Sequence, residues 1–204
     1  MTTGPGSCNQ SEMEAAPDII DDELRLAHTK VLELAVNDHP LEETLSSLVR
    51  IVECHSKTGV IGSILLLEGD GKRLRHGAAP NLPRDYSAAL DGAEIGPEVG
   101  SCGTAAFTGK PVFVADIAID PLWANFRDLA SRHGLAACWS TPILSTGRRV
   151  LGTFAMYHRE PREATVRDLV LVDLVTYTAA LIIDRKRAQE TLSDIAAHAA
   201  QFCG

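Results

Sequence analysis

The stretch 100–157 reads GSCGTAAFTGKPVFVADIAIDPLWANFRDLASRHGLAACWSTPILSTGRRVLGTFAMY, and its order of elements decides the fold. Gly-rich turns and short β-branched runs alternate there with one helix that carries aromatic side chains. The pattern predicts a small helix near 104–108 and a strand at Val112-Phe113-Val114. Two more strands follow, over 136–143 and 148–157, with Gly147 making the turn between them. Asp120-Pro121 opens the aromatic helix, since Asp can cap the free N–H groups and Pro suits the first helical position. That helix is expected to run to about His133 and to end at Gly134. Nothing here is arranged as a nucleophile with its base. The stretch reads as the walls of a pocket, so sensing or binding is expected before catalysis.

Upstream, the stripe Leu24, Ala27, Val31 and Leu34 predicts a helix over 21–35, with acids in its first turn. Asn37-Asp38-His39-Pro40 breaks it. A second helix is expected over 41–55, burying Leu45, Leu48, Val49 and Val52. Ser63-Ile64-Leu65-Leu66-Leu67 fits a buried strand, Glu68-Gly69-Asp70-Gly71 a turn, and 73–78 the returning strand of a hairpin. A short helix over 81–90 and a Gly-rich run over 92–100 follow. A sixth strand is expected in this loop-rich part, without a fixed position. Downstream, 165–201 reads as one long helix. Its loose heptad is Leu174, Thr178, Leu181, Arg185, Ala188, Leu192 and Ile195.

The 204 residues carry a formal net charge of −8, which argues against a nucleic-acid or anionic-membrane surface. No apolar run reaches a spanning length, and the N-terminus lacks a signal-peptide pattern, so a cytoplasmic location is expected. Cys8, Cys54, Cys102, Cys138 and Cys203 are scattered and read as thiols rather than a disulfide framework. The histidines are equally dispersed and give no metal spacing.

The chain resembles a GAF domain, the small-molecule sensor module of bacterial signalling proteins. The matching residues are Gly100-Ser101-Cys102-Gly103-Thr104-Ala105-Ala106, Asp116-Ile117, Asp120-Pro121-Leu122-Trp123, Gly134-Leu135, Trp139-Ser140-Thr141-Pro142-Ile143 and Leu151-Gly152-Thr153-Phe154. It looks most like the GAF domains attached to histidine kinases and diguanylate cyclases. The resemblance implies an α/β (α+β) fold: a six-stranded antiparallel sheet with helices on both sides, and long terminal helices that signal. One face carries helices from both chain ends; the other carries the pocket. The expected division is a disordered tail over 1–20, an N-terminal helix over 21–39, the sensor domain over 40–185 and a linker or coiled-coil helix over 186–204.

The candidate ligand-binding residues are Trp123, Phe126 and Trp139 as walls, with Ser140, Thr153, Arg127, Asp116 and Tyr157 as further contacts. Each has a plainer role beside it. Aromatic side chains commonly pack a helix onto a sheet. An Asp at a strand end usually fixes its own loop. A helix arginine is usually exposed, although Arg127 could also pair with an anion.

Other readings within the fold are weaker. Free methionine-(R)-sulfoxide reductases carry a Cys in a segment resembling Gly100-Ser101-Cys102-Gly103. Their catalytic thiol, however, corresponds to a position near Phe126, which has none. Bilin attachment needs a Cys-His pair where this chain has Asn125-Phe126. Haem would need an axial ligand, for which His133 at a helix end is better suited to capping. No catalytic residue, metal, covalent bilin or haem is therefore expected, and the cofactor is unknown.

The expectation is a non-enzymatic sensor module. It binds a small molecule or responds to a redox cue, dimerises through its terminal helices, and passes its signal to a histidine kinase, cyclase or other regulator. Nucleic acid and membrane are not expected partners. A ligand-free dimerisation module and, less favoured, a reductase-like enzyme are the alternatives.

Overall fold

A computed structural model describes residues 22–56 and 58–202. The tail expected over 1–20, together with Cys8 and Cys203, lies outside the described residues. Two helices open the fold, α1 (Asp22–Val36) and α2 (Leu41–His55). A hairpin follows, β1 (Ile61–Leu67) and β2 (Arg73–Ala78), then α3 (Arg84–Leu90) and the two-residue β3 (Ala93–Glu94). Next come α4 (Gly100–Thr108), β4 (Val112–Val114), a 3-10 turn (Pro121–Trp123) and α5 (Arg127–Arg132). The chain closes with β5 (Ala137–Leu144), β6 (Val150–His158) and α6 (Val166–Phe202).

The six strands form one sheet in the order β3-β2-β1-β6-β5-β4, antiparallel at every pairing. This is the expected sheet. The strand without an expected position is β3, which exists only through Arg73↔Glu94 and Leu74↔Ala93.

Both faces of the sheet are covered. One core joins α1, α2 and α6 to the sheet through Leu24, Leu45, Leu48, Ile64, Trp139, Phe154, Met156, Val175 and Ile183. The opposite core joins α3, the 3-10 turn and α5 through Tyr86, Ile117, Trp123, Ala130, Cys138 and Tyr157. Burying each large side chain contributes about 1.5–3 kcal/mol. The register fixes which residues share a face. Trp139 lies opposite Met156 and belongs to the helical core, while Cys138 opposite Tyr157 and Ser140 opposite Ala155 face the other way.

α6 is seated by a reciprocal arrangement at its start. Asp168 accepts from the Thr165 N–H (2.9 Å) and hydroxyl (2.6 Å), and its own N–H donates to that hydroxyl (3.3 Å). Arg162 closes the group with a 2.8 Å bond to Asp168. The helix then outgrows the body, and every residue of 188–198 is exposed. The heptad is therefore divided. Thr178 turns inward, its hydroxyl 2.7 Å from His28 Nε2, whereas Leu181, Leu192 and Ile195 face outward.

One local expectation is corrected. The helix expected over 120–133 is broken into the 3-10 turn and α5. Asp120 caps as expected, accepting from the Leu122 N–H at 2.9 Å. The chain then leaves helical geometry at Phe126 (φ −118°, ψ −3°), and Arg127 ties the carbonyls of Ile117 and Asp120 at 3.3 and 3.1 Å. That break turns Trp123 under the sheet. Gly147 lies in the β5–β6 turn as expected, and the left-handed residue beside it is Arg148 (φ 59°). The Ser145 hydroxyl accepts from the Arg149 N–H at 3.0 Å and holds it there.

Candidate functional site

α4 begins at Gly100 with φ +54°, a conformation L side chains rarely adopt. The turn delivers Ser101 and Cys102 to the pocket face of the sheet. The Ser101 hydroxyl accepts from the Trp123 indole N–H (3.0 Å) and donates to the Cys138 carbonyl (3.1 Å). One buried hydroxyl thus ties the 3-10 turn to α4 and α4 to β5.

Cys102 stands beside it in the first turn of α4. Its sulfur is 3.8 Å from the Tyr157 hydroxyl, and the Cys138 thiol and the hydroxyls of Ser140 and Thr153 lie close about it. Those two hydroxyls are fully buried and have no hydrogen-bond partner among the described residues. The neighbouring Cys138 thiol foremost, helped by the nearby hydroxyls and opposed by burial, draws the Cys102 thiol below its ordinary range. Burial, and the proton already shared with Cys102, push the Cys138 thiol up. Burial likewise pushes up the Tyr86 and Tyr157 phenols, whose rings meet edge to face at 5.7 Å.

Above Cys102 lies a cavity of about 30 Å³. Its walls are Leu65, Leu74, Tyr86, Trp123, Phe126 and Tyr157, with Val99, Gly100, Ser101, Cys102 and Gly103 closing it along the α4 side. A space of that size holds about one or two water molecules. A drug-sized ligand occupies roughly 300 Å³ or more. In this conformation the cavity is largely occupied by its own walls.

Of the expected site residues, Trp123, Phe126 and Tyr157 meet at this cavity. Ser140 and Thr153 stand beneath it at the Cys102 sulfur. Three others do not join them. Asp116 accepts from the Ala118 N–H at 2.9 Å and shapes its own loop. Arg127 spends its donors on loop carbonyls. Trp139 is placed on the opposite face, 4.2 Å from the His158 ring, with Arg162 over its indole at 5.0 Å and Phe113 edge-on at 6.4 Å. Adjacent strand residues point to opposite faces, so Trp139 cannot share a wall with Cys138 and Ser140.

Sequence reasoning overlooked Ser101, Tyr86 and Leu90 as pocket residues and treated Cys102 only as a poor catalytic thiol. Tyr86 and Leu90 are four apart on α3, a spacing that puts both on one helix face. That signal was readable. The role of Ser101 was not, because its two partners lie 22 and 37 residues away.

The chain matches the GAF domain family over residues 38–184. It is 38% identical over 173 residues to the methyl sulfide methyltransferase-associated sensor of Methanosarcina acetivorans, covering 85% of this chain but only 17% of that protein. In structure it is similar to a domain assigned to a two-component sensor histidine kinase of Sinorhizobium meliloti 1021. The TM-score is 0.62 at 20% identity, with 76% of this chain and 99% of that chain covered. It is also similar to the free methionine-R-sulfoxide reductase of Neisseria meningitidis, with TM-score 0.60 at 14% identity, covering 83% and 95% of the two chains. These structural likenesses support the fold alone. Profile, relative and sheet topology agree, and the chain belongs to the GAF domain family.

Proposed function

We propose that this GAF domain is the input unit of a signalling protein, with the cavity above Cys102 as its sensing site and α1 and α6 as its output. One observation carries the reading. Cys102, Ser140, Thr153 and Tyr157 place hydrogen-bonding capacity under an apolar cavity where plain core packing would need none. Buried polar groups cost free energy unless they are used. The small volume means that a ligand enters only if the roof yields, and that roof is the 3-10 turn with Phe126. Ligand binding would then shift α4 and β5 together through Ser101, biasing one arrangement of the terminal helices over another.

The output side rests on an exposed stripe. Tyr177 and Leu181, on the outer face of the packed part of α6, and Leu192 and Ile195, beyond the body, are large hydrophobic side chains exposed to solvent. Such a stripe suits pairing with a second copy in a helical bundle. The relative named as a sensor, and the domain assigned to a sensor histidine kinase, make a kinase or similar regulator the partner of choice. Residues 40–185 would be the sensor and 186–204 the connecting helix, working in the cytoplasm. Asp116 and Arg127 would act as loop struts.

A ligand-free dimerisation module is favoured by one specific observation, the near-complete filling of the cavity. The discriminating experiment is native mass spectrometry of protein purified from its own host, run beside Phe126→Trp, which fills the remaining space. A retained small molecule on the wild type that is lost in the variant supports sensing. Bare protein in both, with an unchanged dimer, refutes it.

A further inference from the structure

We propose that Cys102 and Cys138 are a peroxide-reactive thiol and its resolving thiol, forming a reversible disulfide between the start of α4 and β5. The geometry brings the pair together without help from the chain ends. Cys102 packs onto the core that contains Cys138, and its sulfur stands 3.8 Å from the hydroxyl of Tyr157, the residue directly across the sheet from Cys138. Ser101 Oγ, on the neighbouring residue, is already 3.1 Å from the Cys138 carbonyl, so the two backbones are pinned side by side. Cys102 lines the cavity and is half-buried, which gives a molecule as small as a peroxide a way in. Cys138 is fully buried behind it.

The surroundings fit the thiolate form of Cys102. The Ser140 and Thr153 hydroxyls, without hydrogen-bond partners among the described residues, lie near enough to favour a charged sulfur, and Tyr157 Oη stands 3.8 Å away. The α4 N-terminus adds its own positive end. These influences all stabilise a negative sulfur, and together with the neighbouring Cys138 thiol they overcome the burial that opposes it. Cys138, held protonated by burial, is the group able to supply a proton to the departing oxygen.

The chemistry balances as follows. The Cys102 thiolate attacks one peroxide oxygen; the S–O bond forms, the O–O bond breaks, and hydroxide leaves as water after protonation. The Cys138 sulfur then attacks the Cys102 sulfur. The S–S bond forms, the S–O bond breaks, and a second water leaves with the Cys138 proton. Two thiols lose two electrons and two protons in total, and one hydrogen peroxide becomes two waters. The sulfurs draw in to about 2 Å, which alters the Cys102 contact with Tyr157 and pulls α4 toward the sheet. As a signal this rests on the sensor reading above; as chemistry it does not.

The test uses the full chain with Cys8→Ser, Cys54→Ser and Cys203→Ser, leaving only the pair. Reduced protein is treated with hydrogen peroxide, denatured, alkylated and weighed. The expected result is a mass loss of about 2 Da with no alkylation, reversed by dithiothreitol, and a Cys102–Cys138 cross-linked peptide. Cys138→Ser should instead accumulate a Cys102 sulfenic acid that dimedone traps, and Cys102→Ser should leave Cys138 at least about tenfold less reactive. Because Cys138→Ser puts a hydroxyl in the core, peptide mapping of the unaltered chain gives the same reading independently. Two alkylatable thiols surviving peroxide that oxidises glutathione in the same tube overturns the proposal. So does a Cys102 sulfinic acid formed while Cys138 stays free. A disulfide that forms without altering dimerisation or ligand retention upholds this inference and counts against the sensor reading alone.

Discussion

Replacing Ser101 with alanine removes one oxygen, yet two buried groups depend on it. The Trp123 indole N–H donates to that oxygen at 3.0 Å, and the Cys138 carbonyl accepts from its hydrogen at 3.1 Å. Ser101 is 1% exposed and Trp123 3%, so water cannot readily replace either bond. Leaving a buried donor unpaired costs about 1–3 kcal/mol, and the carbonyl adds a fraction of that, so Ser101→Ala should cost about 2–4 kcal/mol. Domains are typically stable by only about 5–15 kcal/mol, so the loss would be a large part of the total. Urea unfolding followed by circular dichroism reads it as a lower midpoint with an unchanged slope. The decisive measurement is a cycle with Trp123→Phe, which removes the indole donor. Once no donor is left to strand, Ser101→Ala should cost about 1–2 kcal/mol less than in the wild type. A cost below about 0.5 kcal/mol, or the same cost in both backgrounds, would refute the claim that this hydroxyl joins the roof of the cavity to the sheet.

Three further outcomes are expected. Leu181→Glu with Leu192→Glu places charge on the exposed stripe of α6 and should give a folded monomer in sedimentation; a persistent dimer would move the interface elsewhere. Gly152→Ala would drive its methyl into the Leu65 carbonyl oxygen and to 3.1 Å from Leu66 Cα, in the β1–β6 pair. Although Gly152 sits at the end of that pairing, opposite Leu66, the clash is with backbone, so the substitution should cost more than about 3 kcal/mol, while Gly69→Ala, with nothing within 4 Å, should stay within about 0.5 kcal/mol. Burial drives the His158 imidazole down to about 4, with Arg162 assisting and Asp168 opposing. The unfolded chain therefore binds a proton that the folded chain refuses between about pH 6.5 and 4. Stability should be full above that window and fall as the pH drops through it. The urea midpoint should lose part of this dependence in His158→Phe; identical pH profiles would show that another group is responsible.

The order of elements was legible because most of them have local causes. The stripe of α2, the Asp70-Gly71 turn and the apolar run of β1 each point to one structure over a few residues. β3 has no such cause. Ala93 and Glu94 make a strand only by pairing with Leu74 and Arg73, twenty residues away, and two residues carry no period. The break at Phe126 is equally non-local in origin. Arg127 draws in the carbonyls of Ile117 and Asp120, and the Trp123 N–H finds its acceptor on α4. A capping Asp, a Pro and a helical run of letters cannot report that.

The site was half legible for a related reason. In a sheet open to solvent on one side, polar and apolar residues alternate and reveal which face is which. Here both faces are covered, so Cys138, Trp139 and Ser140 are all buried, and composition cannot sort them. Alternation alone required that Trp139 and its two neighbours point apart. What the sequence left open was which face held the pocket. The indole of Trp139 then drew attention to the wrong one, because a large aromatic is as useful for seating helices as for receiving a ligand. The small residues were the better guide. Ser101, Cys102, Ser140 and Thr153 add little apolar surface to a core, and their burial together needs a polar reason. Ser101 ties the roof to the sheet, while the unpartnered hydroxyls of Ser140 and Thr153 gather near one sulfur. A core that needed only volume there would be better served by alanine and valine, so the sulfur is where a chemical reading of this domain should begin.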